Sequence, residues 1–337
     1  MNAVKQVSQQ LHAIYSQALA DANRTRYDEE LWRYYGHLAT LPGCMKQTRY
    51  VADLCRLARF DPQGKVILDA GCGFGALSII LALMGARTVH GVDISLTRLP
   101  TFQQMIEDFQ LHPPLTAHFA SAEQLDFPSA SFDMIFSNEV ISHFHDIDAF
   151  FGEAARLLKP GGVLLIADGN NGVNPRLAAH TRELWLRFEN GPAGPFNGHR
   201  VKQPYVAMRA EIIQEAFPHL DAAQVQELAR RTSRMTREQI LQAVQHYLSS
   251  GELPQSFYEP VECPVNPLTG AVLERLFDPA QLARQIERFG FRARHYAYLG
   301  GAGGNPLIRL ANAIGMALTP ITLRWARSFR IVAVRTG

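Results

Sequence analysis

Apolar residues recur along this chain at two different periods, and the places where the period changes divide it into regions. From Val4 to Ala20, from Glu29 to Leu41 and from Tyr50 to Arg59 they return every three or four positions, the spacing of one helix face. In the third of these Val51, Leu54, Cys55 and Ala58 fall on one side. Between 66 and 168 short apolar runs alternate with helical patterns. Val66 to Leu68, Thr88 to Val92, Leu115 to Phe119, Phe132 to Ser137 and Val163 to Ala167 read as strands, whereas Ala76 to Met84, Leu99 to Gln110 and Asp148 to Leu158 read as helices. Continuous apolar runs suit strands covered on both faces, so the pattern predicts a doubly wound α/β sheet, Rossmann-like and mostly parallel.

From 169 to 277 strand signals give way to helical ones. Pro175 opens a helix carrying Leu177, Leu184, Trp185 and Phe188, another runs near Val206 to Phe217, and Thr236-x-x-Gln239 is a capping box ahead of Ile240 to Leu248. Pro254 to Pro267 reads as an extended linker. Asp278-Pro279 then caps a helix over Ala280 to Phe289, stopped by Gly290, and Phe291 to Leu299 and Ser328 to Val334 read as two last strands. The expected division is therefore an N-terminal helical cover (1–64), an α/β core (65–168), an inserted helical subdomain that sets substrate specificity (169–277), and a return to the core (278–337).

The stretch richest in chemical information is Val66-Ile67-Leu68-Asp69-Ala70-Gly71-Cys72-Gly73-Phe74-Gly75. An apolar strand stops at an acid, and glycines then allow a sharp turn whose backbone approaches a ligand without Cβ interference. The next strand ends in Asp93, about 20 residues on, where an acid accepts the ribose hydroxyls of a nucleoside. Two ligands fit this order, a dinucleotide or S-adenosylmethionine. Dinucleotide proteins favour Gly-x-G-x-x-Gly, which seats a pyrophosphate at a helix N-terminus. Here the spacing is Gly-x-Gly-x-Gly, and Asp69 would repel phosphate but suit an ammonium group.

Leu68 to Gly75 resembles motif I of the class I S-adenosylmethionine-dependent methyltransferases. Ser131-Phe132-Asp133-Met134-Ile135-Phe136-Ser137-Asn138 is similar to the family's fourth strand, and Leu157-Leu158-Lys159-Pro160-Gly161-Gly162 to its turn into the fifth. The resemblance covers residues 66–168. It implies S-adenosyl-L-methionine as cofactor, held by Asp69, Gly71, Cys72, Gly73, Gly75, Asp93, Ile94, Ser121, Ala122, Glu123 and Asn138. It also implies an antiparallel strand among the two C-terminal ones. Ser121 departs from the family, which often has an aspartate there for the adenine amino group.

A sulfonium makes the methyl group an electrophile without help, so the protein must align an acceptor and, for a hydroxyl, remove its proton. In open α/β sheets the crevice lies beyond the carboxyl ends of the strands. His143, in the stretch after the fourth strand, is the first candidate for the base, since imidazole titrates near neutrality, and His145 is the second. His143 as a packing residue is the competing reading. Glu139 and His143 also resemble a part of ubiquinone-pathway O-methyltransferases, where two acids and a histidine hold a metal. Ser142 replaces the second acid here, and no metal is assigned. After the fifth strand, Asp168-Gly169-Asn170-Asn171-Gly172 is either a polar crevice mouth or simply a turn.

Composition narrows the partners. The formal charge is +2 over 337 residues, which implies no nucleic acid, and the insertion balances eleven basic against eleven acidic residues. Arg230, Arg231, Arg234 and Arg237 are therefore expected on a solvated face. Aromatics Tyr27, Trp32, Tyr34 and Tyr35 read first as helix packing and second as a pocket wall. Four cysteines (44, 55, 72, 263) form no Cys-x-x-Cys pair, no apolar leader opens the chain, and no run of 18 apolar residues occurs, which points to a reduced, cytoplasmic setting. One asymmetry stands out: from Arg288 to Gly337 there are eight arginines and no acid. Within 299–330, Leu310 to Leu323 is nearly all apolar, with Pro320 to interrupt a single helix. Two uses are open, helices packed on the sheet or in a homodimer contact, and peripheral contact with an anionic membrane. The sequence thus predicts methyl transfer, to oxygen of a small-molecule, glycan or lipid-linked acceptor. A nicotinamide oxidoreductase and an inactive binding module are the alternatives.

Overall fold

Val66 to Ala70 (β1) is buried along its whole length and pairs in parallel on both sides. Its neighbours are β2 (Thr88–Asp93) and β4 (Phe132–Asn138), and the sheet continues through β3 (Leu115–Phe119) on one side and β5 (Leu158–Asp168) on the other. Helices α4 (Ala76–Leu83), α5 (Arg98–Asp108) and α6 (Ile147–Leu157) make the crossovers. The computed structural model describes residues 2–300 and 306–337. The chain divides into two units: Met1–Ile141, Asp146–Gly169 and Asp278–Gly337 form the first, Ser142–His145 and Asn170–Phe277 the second.

In the first unit the sheet has seven strands in the order β3-β2-β1-β4-β5-β9-β8, closed by β8 (Phe291–Tyr298) and β9 (Ser328–Arg335). The last strand in sequence lies inside the sheet, antiparallel to both neighbours, with Ile166 opposite Ile331 and His295 opposite Ile331 on the other side. The strand order reverses between β1 and β4, so the crevice of an open α/β sheet falls at their carboxyl ends. β5 begins at Leu158, five residues before the apolar run at Val163. Lys159 to Gly162 is carried into the strand through a shift of register against Phe132 and Met134, and the Lys159 ammonium meets Asp133 Oδ1 at 2.7 Å.

The N-terminal helices depart from the simple periodic reading. α1 spans Asn2–Ala18, but the pattern over Glu29 to Leu41 is broken into α2 (Glu30–Tyr35) and a 3-10 turn (Gly36–Ala39). α3 then runs Leu41–Leu57, starting nine residues ahead of Tyr50. Two local signals account for this. Thr40 is extended and its hydroxyl accepts the Gly43 amide at 3.2 Å, while Pro42 sits in the first turn, where proline loses no helical hydrogen bond. Leu11, Tyr15, Val51 and Leu54 join Phe74, Ile79 and Ile80 in one buried cluster.

The second unit contains α7 (Pro175–Asn190), a hairpin of β6 (Gly194–Phe196) and β7 (His199–Val201), α8 (Tyr205–Ala216), α9 (Ala222–Arg230) and α10 (Arg237–Ser250). Asp221 with Gln224 and Thr236 with Gln239 form capping boxes at the heads of α9 and α10. Ile212, Ile213, Leu228, Ile240 and Val244 make its core. Beside them Arg209 and Glu189, both buried, pair at 2.5 Å; Arg209 Nε also donates to the Ala229 carbonyl and the Ser233 hydroxyl donates to Glu189. Arg231, Arg234 and Arg237 pair with Glu227, Glu262 and Glu215.

Back in the first unit, α11 (Pro279–Glu287) is capped by Asp278. Between the last two strands lie α12 (Pro306–Ala317) and α13 (Thr319–Thr322). Pro320 takes the start of α13, so two helices replace one, while 301–305 of the apolar basic segment lie outside the described residues. Among the described residues no helix is long and apolar enough to cross a membrane.

Candidate active site

The turn after β1 holds Gly71, Gly73 and Gly75 at positive φ, but the three glycines answer to different neighbours. A Cβ on Gly71 would come 2.4 Å from the Val140 side chain, and one on Gly75 would come 2.1 Å from the Phe102 ring. Those positions are closed by the protein itself. At Gly73 the nearest atom to a Cβ is Arg98 Cδ, 3.9 Å away, so the space in front of this residue is open. The Gly71 and Cys72 amides donate to the Val92 carbonyl at 2.8 and 3.0 Å. Cys72 is buried, which pushes its thiol well above its usual pKa, with Asp69 and Asp93 adding to the shift.

Asp93 completes the turn. Its Oδ2 accepts the Gly73 amide at 2.8 Å and its Oδ1 accepts the Ser95 amide at 2.7 Å. A carboxylate oxygen has two lone pairs, so both oxygens retain acceptor capacity toward the open side. Ile94, next in the chain, is 65% exposed, an apolar side chain beside a carboxylate. Asp69 sits under the turn, buried, and receives the Ser78 hydroxyl at 2.5 Å. Burial raises its pKa to about 7, against the lowering effect of Ser78; Asp93 adds to the rise.

α2 packs against the same turn. The Arg98 guanidinium pairs with Glu30 at 3.2 Å and lies 5.0 Å over the Tyr34 ring; the Tyr34 and Tyr35 rings are 6.5 and 6.1 Å from that of Phe74. Of the four N-terminal aromatics, Tyr27 bonds Asp108, Trp32 bonds the Leu19 carbonyl and Tyr35 is packed on Phe74, whereas Tyr34 is exposed. In the loop after β3, Ser121 Oγ accepts the Glu123 amide at 3.2 Å, Ala122 is buried, and Glu123 Oε2 accepts the Asp146 amide at 3.2 Å.

At the end of β4, Asn138 Oδ1 accepts the Tyr50 hydroxyl at 2.7 Å. Tyr50 in turn receives Arg330 Nη2 at 3.2 Å, and that guanidinium lies 4.2 Å over the Tyr298 ring. Neither Tyr50 nor Arg330 is singled out by the sequence, because their partners lie far along the chain. Glu139 has a positive φ, and its Oε2 accepts the Gly169 amide at 2.8 Å, joining the ends of β4 and β5. His143 and His145 belong to the second unit. His143 Nδ1 is 3.4 Å from the Val272 carbonyl oxygen, and the Arg275 guanidinium donates to the carbonyls of Phe144 and His145 at 2.6 and 2.7 Å. The structure thus gathers Asp69, Gly71, Cys72, Gly73, Gly75, Asp93 and Ile94 about one turn in the first unit.

Residues 68–166 match the methyltransferase domain family. They form a class I S-adenosylmethionine-dependent methyltransferase domain. Its curated relatives include a dimethylglycine N-methyltransferase of Parasynechococcus marenigrum, 37% identical over 36% of this chain and 43% of that protein. A 2-methyl-6-phytyl-1,4-hydroquinone methyltransferase of Synechocystis is 43% identical over 32% of this chain and 33% of that protein. A ubiquinone biosynthesis O-methyltransferase of Rhodopseudomonas palustris is 30% identical over 44% of this chain and 60% of that protein. The chain spans less than two thirds of the length of each. In the turn of this domain, protein closes over Gly71 and Gly75, and the space in front of Gly73 is open.

Proposed function

We propose that this chain transfers a methyl group from S-adenosylmethionine to an oxygen of a small-molecule acceptor. The observation that carries the reading is the clasp between Gly73 and Asp93, an ionisable acceptor held over a backbone with open space in front of it. In this reading Asp93 takes the ribose hydroxyls, Ile94 covers the adenine, and Ser121, Ala122 and Glu123 line its edge. Gly71, Cys72, Gly73 and Gly75 give the backbone approach, Asp69 faces the ammonium end, and Asn138, fixed by Tyr50, borders the methionine part. The cofactor supplies a methyl group already activated by its sulfonium. The chain's part is to orient the acceptor and hold its proton, for which His143 is the base and His145 the reserve. The second unit supplies acceptor specificity, being unnecessary for holding the cofactor.

Relatives are named for N-methylation, for methylation of a phytyl hydroquinone and for O-methylation in ubiquinone biosynthesis. An imidazole base favours oxygen here, and the acceptor is a small molecule, with a glycan or a lipid-linked molecule as the finer alternatives. The surface supports a lipid setting. Leu307, Leu310 and Ile314 on α12, Leu318 between the helices, Ile321 on α13 and Trp325 just after it are exposed, while polar Asn312 and Thr319 point inward, bonding Leu299, Gly300 and Ala297 backbone atoms. A helix with its apolar side outward, bordered by Arg309, Arg324 and Arg327, suits peripheral contact with an anionic membrane.

Calorimetric titration with S-adenosylmethionine and with NAD(H) tests the cofactor; binding of NAD(H) alone would replace methyl transfer by hydride transfer. An acceptor screen following S-adenosylhomocysteine then tests activity, and no release with any acceptor would leave a binding module. His143→Ala should lower turnover by about 100-fold with cofactor affinity kept. Flotation with anionic and neutral liposomes tests the membrane face. Binding that ignores lipid charge, or a concentration-dependent dimer in place of binding, would assign that face to another use.

A further inference from the structure

One side of α12, from the exposed Leu310 through Ala313 to Met316, is apolar. It faces α3 across a groove of about 610 Å³ whose walls are Leu54, Leu57, Tyr298, Leu310, Ala313 and Met316. That volume lies within the roughly 300–1,000 Å³ usual for small-ligand sites. The mouth is basic. Arg56 and Arg309 both reach Asp53, and the adjoining hollow of about 430 Å³ shares these three residues and adds Lys5 and Arg49, four cations about one acid. Underneath, Arg330 is 2% exposed and stacked on Tyr298, with no ion-pair partner among the described residues; its Nε–H has no acceptor. Tyr50 connects the groove to the sheet crevice, for it lines the one and bonds Asn138 at the end of β4 in the other.

We propose that this groove binds the hydrocarbon chain of an anionic, single-chain amphiphile, with its acidic head held by the arginine-rich mouth. The hydrocarbon lies along α3 and α12, and Tyr50 forms the end nearest the methyl-transfer site.

Dodecanoate is the probe, titrated below its micelle concentration into the full chain, with dodecyltrimethylammonium as the cationic control and acetate as the headgroup alone. Saturable binding of dodecanoate, about tenfold or more tighter than the cationic probe, with none of acetate, is expected from chain burial plus charge selection. Ala313→Trp, at an exposed position that lines the groove, should weaken dodecanoate about tenfold or more by filling it, with S-adenosylmethionine affinity unchanged as the control for folding. Arg309→Glu should remove the preference for the anion. Equal binding by the parent and Ala313→Trp, or no preference for charge, overturns the proposal. Failure of the parent to bind S-adenosylmethionine while it binds dodecanoate would overturn the catalytic reading instead, so the two outcomes are separable.

Discussion

The amide of Gly73 donates to Asp93 Oδ2 at 2.8 Å, so the glycine turn after β1 and the end of β2 form one clasp. The distinct surroundings of the three glycines then predict distinct phenotypes. Asp93→Ala should weaken S-adenosylmethionine binding by roughly 2 kcal/mol or more, about 30-fold in Kd, since it removes a charged acceptor and frees a backbone donor. Gly73→Val should abolish binding in a folded protein, whereas Gly75→Ala should lower the melting temperature because its Cβ meets Phe102. Calorimetry and thermal unfolding on the same samples separate the two effects.

Asp69→Asn should stabilise the protein at pH 8 and weaken cofactor binding. The folded pKa of Asp69 is raised to about 7, so the stability that its protonation contributes is complete below the unfolded value of 3.8 and is lost as pH rises through 7. Above that, the parent carries a buried charge that the amide lacks. Melting curves of parent and variant should converge as pH falls from 8 toward 4; a constant gap would contradict the assignment.

Glu189→Ala should cost about 3–5 kcal/mol in the second unit, because it leaves Arg209 as an unpaired buried charge. The double variant Glu189→Ala, Arg209→Met should recover part of that loss. Urea unfolding followed by protection of the α8 and α9 amides gives the measurement.

His90, on β2, packs against Phe127 and Phe132 and bonds Thr116 at 2.8 Å, with the His118 ring centroid 5.5 Å away. Burial, followed by repulsion from His118, lowers its pKa from 6.5 to about 4. A lowered base contributes stability that is present above the unfolded pKa and lost as pH falls through the folded one. Stability should therefore decline between about pH 6.5 and 4, and His90→Phe should flatten the decline. An unchanged pH profile in that variant would assign the acid sensitivity to other groups.

How much of this was legible depended on how local each cause is. The strand Val66 to Leu68, the glycine turn and the distance to Asp93 are short-range patterns, and they reveal the sheet and mark both Gly73 and Asp93 from the chain alone, though not the bond between them. Thr40 and Pro42 were equally local, yet the helical period runs across them and conceals the break. Asp221 and Gln224 form at α9 the same capping box that marks α10, but Ala222 to Arg230 carries few large apolar residues to signal a helix behind it. Tyr50 and Arg330 are different in kind. Their contact joins positions 280 residues apart, and nothing in either neighbourhood marks it. The outward-facing leucines of α12 were visible as an apolar run, but only Asn312 and Thr319 turning inward reveals which side faces solvent.

The position of β9 bears on how the protein is made. Strand β5 cannot receive its antiparallel partner until residues 328–335 have been synthesised, and Asn170–Phe277 of the second unit is translated in between. At roughly 5–20 residues per second the ribosome leaves that edge uncovered for something like 10–30 s. Through that interval Leu164, Leu165 and Ile166 present a bare apolar strand edge, the kind of surface that pairs with other chains. Yield in the cell should then depend on translation speed and chaperone supply more than the stability of the finished fold would indicate.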